Sequence, residues 1–405
     1  MYKNKVRGII MKISRNASLV SASVTLEITA RVKQLKSEGK SIIGFTAGEP
    51  DFNTPNYIID SAKKALDNGV TKYTPVSGLP ELKRAICEKF KKDNGLEYSP
   101  SQIIVSDGAK SSLFHTFYAL LDQGDEVIVP APFWFTYEEQ IKLCGGVAKI
   151  VHTKKENGYK ITAEELESAI TDKTVAFLIN SPSNPTGALY TEEELRKLAV
   201  VLEKYGLVTV SDEIYEKLIY DGEKHVSIAS VSQYMRDNTV VINGVSKTYA
   251  MTGWRIGYLA APVELASAIN RLQSQTTSNA CSFAQVASVT ALTEVNDVVE
   301  NMRLSFDDRR KYIMKRADEL GLSYVKPKGA FYLFIDISPI FGKSYKGKVI
   351  NNSVEFSKQL TEYGVAVIPG SPFYADNFIR LSYAVSLKDI EEGFDRIKNF
   401  LNELV

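Results

Sequence analysis

Cysteine and histidine are scarce in this chain, with three of each among 405 residues and all of them far apart. Cys87, Cys144 and Cys281 are odd in number and widely spaced, which excludes a disulfide framework and suits a reducing compartment. His115, His152 and His225 are equally scattered, and no Cys/His spacing reads as a zinc site, so no metal is expected. An excess of charge is missing too. Lys and Arg number 49 against 48 Asp and Glu, a net charge of +1, and no basic cluster stands out. That balance argues against nucleic acid or an anionic membrane as the partner and leaves a small ligand. No apolar run approaches the roughly 18 residues that span a bilayer. The start, Met1 to Met11 with Lys3, Lys5 and Arg7, has no signal-peptide core, and Met11 reads as well as Met1 as a beginning. The expected location is the cytoplasm.

What is present is an ordinary globular composition, 44% apolar and 24% charged, long enough for two or three domains at roughly 150 residues each. Short β-branched runs recur at Ile103 to Val105, Val127 to Val129, Val175 to Ile179, Leu207 to Val210 and Thr239 to Ile242. Runs apolar throughout predict strands buried on both faces, as in a parallel sheet covered by helices. Thr191-Glu192-Glu193-Glu194 reads as a capping box that opens a helix reaching about Tyr205 and ended by Gly206. Strand, helix, strand at this spacing is the grammar of an α/β domain. After about residue 295 the pattern changes to a charged helix through Asp307 to Lys311. Strands follow at Gly329 to Ile335, Val365 to Ile368 and Ile379 to Tyr383, then a closing helix from Leu387. This predicts a smaller α+β domain over 296–405, joined by part of an N-terminal arm over 1–50, beside a large domain over 51–295. Gly342 to Lys348 reads as a surface loop.

Four segments carry chemistry. Ser106-Asp107-Gly108-Ala109-Lys110 joins a strand to a helix, and its small residues let backbone N–H groups approach an anion; as a plain turn it would need no ligand. It matches neither the phosphate loop of nucleotide hydrolases nor the dinucleotide fingerprint. Asn180 to Gly187, with two Pro and two Asn, is loop punctuation or a rigid turn holding Asn184 over the carboxyl edge of the sheet. Asp212 and Tyr215 follow another buried strand, where Asp alone would pass for a helix cap. Last comes Asn243-Gly244-Val245-Ser246-Lys247, running on to Arg255.

In these residues the chain resembles the class I and II aminotransferases, pyridoxal-phosphate (PLP) enzymes of fold type I, most closely their bacterial aspartate aminotransferase branch. The resemblance is ordered, from Ala47-Gly48-Glu49-Pro50-Asp51 through Lys72-Tyr73-Thr74-Pro75 to Arg380-Leu381-Ser382-Tyr383, and covers about residues 14 to 403. It implies an amino group moved from aspartate or a related amino acid to 2-oxoglutarate by a ping-pong Schiff-base mechanism. It also implies a homodimer with shared active sites.

Residue by residue, the resemblance implies that Lys247 forms the Schiff base and later moves the proton. Asp212 pairs with the pyridine nitrogen, Tyr215 and Asn184 reach the ring hydroxyl, and Trp134 stacks on the ring. Gly108, Ala109, Arg255 and Tyr73 of the other subunit hold the phosphate. Many relatives place a Ser where this chain has Gly244, so that contact is either missing or supplied by neighbouring Ser246. Arg380, helped by Gly48 and Asn184, takes the α-carboxylate; a buried salt bridge is its plain alternative. Lys110 matches the cation for a distal carboxylate, which favours a dicarboxylate substrate. Relatives that accept prephenate carry a Lys near the N-terminus where this chain has Ser21, so prephenate is disfavoured. The competing functions are an aromatic or broad-specificity aminotransferase and a PLP-dependent carbon–sulfur lyase.

Overall fold

The computed structural model describes residues 12–21 and 24–405; the readings on Met1 to Met11 lie outside the described residues. The five expected strands are present as Ile103–Ser106, Glu126–Ala131, Thr174–Asn180, Val208–Asp212 and Thr239–Gly244. With Val147–His152 and Gly257–Ala260 they form one seven-stranded sheet. Its spatial order begins at Ile103–Ser106, then Gly257–Ala260, Thr239–Gly244, Val208–Asp212, Thr174–Asn180, Glu126–Ala131 and Val147–His152. The last five run parallel. Gly257–Ala260 is antiparallel to both neighbours, so Ile103–Ser106 again points the same way as the five.

Both faces of the sheet are covered because alternate residues of a strand point to opposite sides. Ile103 and Val105 enter one core with Phe90 and Tyr258, while Ile104 enters another with Phe117 and Val129. Ile128, Phe177 and Ile179 pack under Leu195, Leu198 and Leu202 of the helix Glu192–Tyr205. That helix starts as its sequence requires: Thr191 Oγ1 accepts from Glu194 N at 3.3 Å, and the Glu194 carboxylate accepts from Thr191 N at 2.8 Å. Gly206, at φ +67°, ends it.

The C-terminal strands form an antiparallel sheet, Ile368–Pro369, Phe378–Ser382, Tyr332–Asp336 and Tyr324–Val325 in spatial order. Phe331, Leu333, Ile335, Phe356, Phe394 and Phe400 fill its core together with Phe45 from the N-terminal segment. Ile43–Gly44 pairs in parallel with Val365–Ala366. Two expectations change here. The run Val365 to Ile368 is divided, its first half pairing with Ile43–Gly44 and its end with Phe378–Ser382, since Val367 lies between two ladders. Gly342 to Lys348 is no plain loop, because Ser344–Tyr345 and Lys348–Val349 form a short ladder. Tyr345 anchors it, its ring 5.1 Å from that of Phe400.

Gly257 sits at the carboxyl edge of the large sheet, between Ser106 and Gly244. A Cβ there would lie 2.2 Å from Ala109 N and 2.3 Å from Gly108 C, both backbone atoms that cannot swing aside. Gly257→Ala is therefore expected to destabilise the fold by about 1–3 kcal/mol, the usual range for overpacking. Urea denaturation checks it, and an unchanged midpoint would contradict the close approach.

Candidate active site

Because these strands share one direction, the segments that follow Ser106, Asn180, Asp212 and Gly244 all emerge at one edge of the sheet. Asn180 lies directly opposite Asp212, and Gly244 opposite Gly257. The result is a cleft floored by strand ends, where open α/β sheets bind ligands. Its far wall is Arg380, brought in by the antiparallel sheet.

Asp212 is only 3% exposed; its Oδ2 accepts from the Tyr137 hydroxyl at 2.7 Å and its Oδ1 from Ile214 N at 3.2 Å. Burial pushes its carboxyl up to about 6, against the opposing pull of the Tyr137 hydrogen bond. Lys247 is half-buried and its ammonium donates to the Gly48 carbonyl. Burial brings its amine down to about 8, with Glu49 opposing the shift and Arg380 and Arg255 adding to it. Glu49 is itself held by the Thr252 hydroxyl at 2.6 Å, so the loop carrying Gly48 is tied to the loop carrying Arg255.

The helix Ala109–Leu120 begins at this edge, with Gly108 at φ +83° as its cap. A Cβ on Gly108 would lie 2.3 Å from Arg255 Nη2, so only glycine lets the guanidinium lie against this turn. Arg255 donates to Thr252 O at 2.8 Å and Asp107 O at 3.3 Å. Backbone N–H groups at a helix start with an exposed guanidinium beside them form an anion cradle. Lys110, in the first helical turn, places its ammonium 4.8 Å from the centre of the Trp134 ring. Burial and Arg255 both lower its pKa. Gly244 is packed against Ile256 O at 3.0 Å from a hypothetical Cβ, and Ser246 is buried next to Lys247.

Arg380 is 3% exposed, and no carboxylate reaches it among the described residues. Its Nη1 donates to Asn184 Oδ1 at 2.8 Å and Nη2 to Thr46 O at 3.4 Å, while Nε is buried without a partner. The plain alternative of a structural salt bridge therefore fails. Tyr73 lies outside the cleft, 92% exposed, on a loop whose neighbour Thr74 accepts from Gln285 Nε2 at 3.0 Å. The sequence reading missed Tyr332, whose hydroxyl is 2.9 Å from that of Tyr215, and Tyr137. Tyr332 sits between Phe331 and Leu333 and Tyr137 between Thr136 and Glu138, with no local pattern to mark either.

The reading that scattered histidines exclude a metal site did not foresee one cluster behind Asp212. Ligand-type atoms of Glu213, Glu216 and His225 lie within 4.8 Å of one another. Their oxygens are engaged: Glu213 accepts from Ser211, Ser227 and His225, and Glu216 pairs with Lys89 and accepts from Asn94. Burial alone would raise the Glu216 carboxyl, yet Lys89 holds it down at about 2. Lys89 is the cation this cluster is built around.

A profile of the family described as aminotransferase class I and II matches residues 40–397. The chain belongs to the class I and II aminotransferases. It is 49% identical over 395 residues to the aspartate aminotransferase of Bacillus subtilis, covering 97% of this chain and 100% of that one. It is 46% identical to the probable aspartate/prephenate aminotransferase of Aquifex aeolicus, covering 97% and 99%. The aspartate aminotransferase of Thermus thermophilus, solved with maleate, superposes with a TM-score of 0.91 at 40% identity, covering 96% and 99%. The aminotransferase is PLP-dependent and has the fold type I architecture expected of it.

The cleft fits that cofactor on its own chemistry. It offers an amine, a buried carboxyl with no cation on it, an anion cradle and an indole face at one edge of the sheet. In the cofactor-free aminotransferase Asp212 should cost stability as it ionises. The unfolded chain releases this proton near the ordinary 3.8 and the folded one near 6, so stability present below that window falls as pH rises through it. The loss is on the order of 3 kcal/mol. Apo Asp212→Asn escapes it and should gain on apo wild type between pH 4 and pH 8. Denaturation at the two pH values decides, and parallel pH profiles would contradict the assignment.

Proposed function

We propose that this aminotransferase moves the amino group of aspartate to 2-oxoglutarate in two half-reactions. The observation that carries the reading is Arg380, a buried guanidinium with no carboxylate of its own, facing the cleft beside Asn184. A charge so buried is costly unless a ligand completes it, and an amino acid's α-carboxylate has the matching fork. When bound, PLP supplies an aldehyde that condenses with amines and a ring that accepts the electron pair left when the Cα–H bond breaks.

The chain's own groups do the rest. Lys247, with an amine near 8, is the base that takes the Cα proton and returns it to the cofactor side. Asp212 would pair with the ring nitrogen, and a cation there would oppose the upward push of burial and favour the charged carboxylate. Tyr215 and Asn184 would hold the ring hydroxyl, the Asn184 amide nitrogen being left over by the Arg380 contact to its oxygen, and Trp134 would stack on the ring. Gly108, Ala109, Ser246, Arg255 and a partner's tyrosine equivalent to Tyr73 would hold the phosphate. Gly48, Asn184 and Arg380 hold the α-carboxylate, and Lys110 the distal one. The aspartate/prephenate label of one relative makes prephenate a second acceptor to include in any profile.

The same reading places the enzyme in the cytoplasm, supported by three free cysteines. Among the described residues no helix is long and apolar enough to cross a membrane. It divides the chain into a large PLP-binding domain over 51–295 and a small domain over 296–405 with part of 1–50, supported by the shared core of Phe45 and Phe394. It also makes the protein a homodimer. The support is Tyr73, an aromatic side chain left almost wholly exposed on a loop of the single chain. A mass in solution of twice 45.0 kDa is expected, and an active monomer would reject the shared site.

The function is tested by donor profiles with 2-oxoglutarate. Aspartate should be the preferred donor, and Lys247→Ala should abolish turnover with every donor. Lys110→Ala should lower kcat/KM for aspartate roughly tenfold to hundredfold, the loss of one charged hydrogen bond, while sparing alanine. Equal losses for both donors would assign Lys110 to the phosphate instead. Keto acid released without a matching amino-acid product would favour a lyase.

A further inference from the structure

Tyr332 begins the strand Tyr332–Asp336 and is 1% exposed. Across the ladder Phe334 pairs with Arg380, and Tyr332 with Ser382. Side chains two residues apart share a face, so Tyr332 and Arg380 are diagonal neighbours on one side of the sheet. The guanidinium lies 4.3 Å from the Tyr332 ring centre and 5.3 Å from that of Phe373. At its other end the Tyr332 hydroxyl meets the Tyr215 hydroxyl at 2.9 Å. One phenol thus touches both the group assigned to the cofactor's ring hydroxyl and the group assigned to the substrate's α-carboxylate.

We propose that Tyr332 is a positioning residue that serves both contacts separately: its hydroxyl directs and strengthens Tyr215 as a donor to the cofactor, and its ring fixes the plane of Arg380 for the carboxylate. The inference rests on the assignment of Tyr215 and Arg380 above. Proton accounting supports the first half. A phenol has one proton to give. If Tyr215 gives its proton to the ring hydroxyl's oxygen, its contact with Tyr332 is an accepting one, and Tyr332 must donate. Tyr332 has no other hydrogen-bond partner among the described residues. Burial keeps both phenols neutral by raising their pKa values. A donor onto the Tyr215 oxygen polarises its O–H bond, and chained hydrogen bonds in a low-dielectric site reinforce one another. The second half follows from what Arg380 lacks. Two hydrogen bonds and an idle Nε leave its plane underdetermined, and two aromatic faces supply the missing restraint.

Three variants of the holoenzyme separate the two roles. Tyr332→Phe keeps the ring and removes the hydroxyl, Phe373→Leu removes the other ring and keeps the hydroxyl, and Tyr332→Leu removes both features of Tyr332. Two readouts are taken without turnover: the pH midpoint of the bound cofactor's visible band, and the affinity for maleate as an unreactive dicarboxylate. A weaker donor stabilises the ring oxygen's anion less, so Tyr332→Phe should move the midpoint upward by about half a pH unit or more. Its maleate affinity should stay within about threefold of wild type, since the ring remains. Phe373→Leu should leave the midpoint in place and weaken maleate by roughly threefold to thirtyfold, the range of a buried cation–π contact. Tyr332→Leu should show both changes; if it does not fold, the other two variants still separate the roles. An unmoved midpoint in Tyr332→Phe, or a maleate loss there as large as in Phe373→Leu, overturns the proposal. A wild-type protein with no visible band at any pH overturns the cofactor reading beneath it, a distinct result.

Discussion

Strand direction is the constraint on which everything else in this molecule depends. Five neighbouring strands run parallel, and the antiparallel Gly257–Ala260 restores Ile103–Ser106 to the same sense. A parallel sheet needs a crossover between successive strands, so all its carboxyl ends open on one edge and every connecting loop there starts from a fixed floor. Gly108, Asn184, Asp212 and Lys247 are more than a hundred residues apart in sequence at the extremes, yet they share that edge. The glycines at 108, 244 and 257 are the local expression of the same constraint. They stand where strand ends and the helix start come too close for a side chain.

The cleft so formed holds charged groups that a stable, ligand-free protein has no reason to bury. Arg380 lacks a carboxylate, Asp212 lacks a cation, and Lys247 has a carbonyl for a partner. Burial is the first cause of the shifted pKa of each, raising that of Asp212 and lowering those of Lys247 and Arg380. The nearby Glu216–Lys89 pair shows the contrast. It is equally buried, but paired, and its carboxyl stays fully ionised. Incomplete charges concentrated in one cleft are the mark of a site whose partners arrive from outside.

Aromatic side chains line this cleft, and one of them links the two sheets. Tyr332 stands between Tyr215 and Arg380, and Trp134 between Lys110 and Tyr137. Rings and hydroxyls thus join the Arg380–Asn184 hydrogen bond and the backbone bonds at Leu218 and Gly187 in tying the C-terminal sheet to the large sheet's edge. That arrangement lets one end of a residue fix a charge while the other fixes a hydrogen bond.

Much of this was legible in the chain itself. Apolar runs bounded by small residues marked the strands, the capping box at Thr191 marked a helix start, and the ordered motifs from Gly48 to Arg380 marked segments that the fold brings to one cleft. These are local signals, because strand burial, helix capping and tight turns are decided by residues close in sequence. Tertiary structure alone decided the rest. It split Val365 to Ile368 between two sheets, buried Tyr345, and left Arg380 without a carboxylate. It brought Tyr332 to Tyr215, 117 residues away, and gathered Glu213, Glu216 and His225 around Lys89. None of these leaves a pattern in the chain, because strand register and the docking of one sheet against another set which side chains meet, and both are settled by the packing of the whole core.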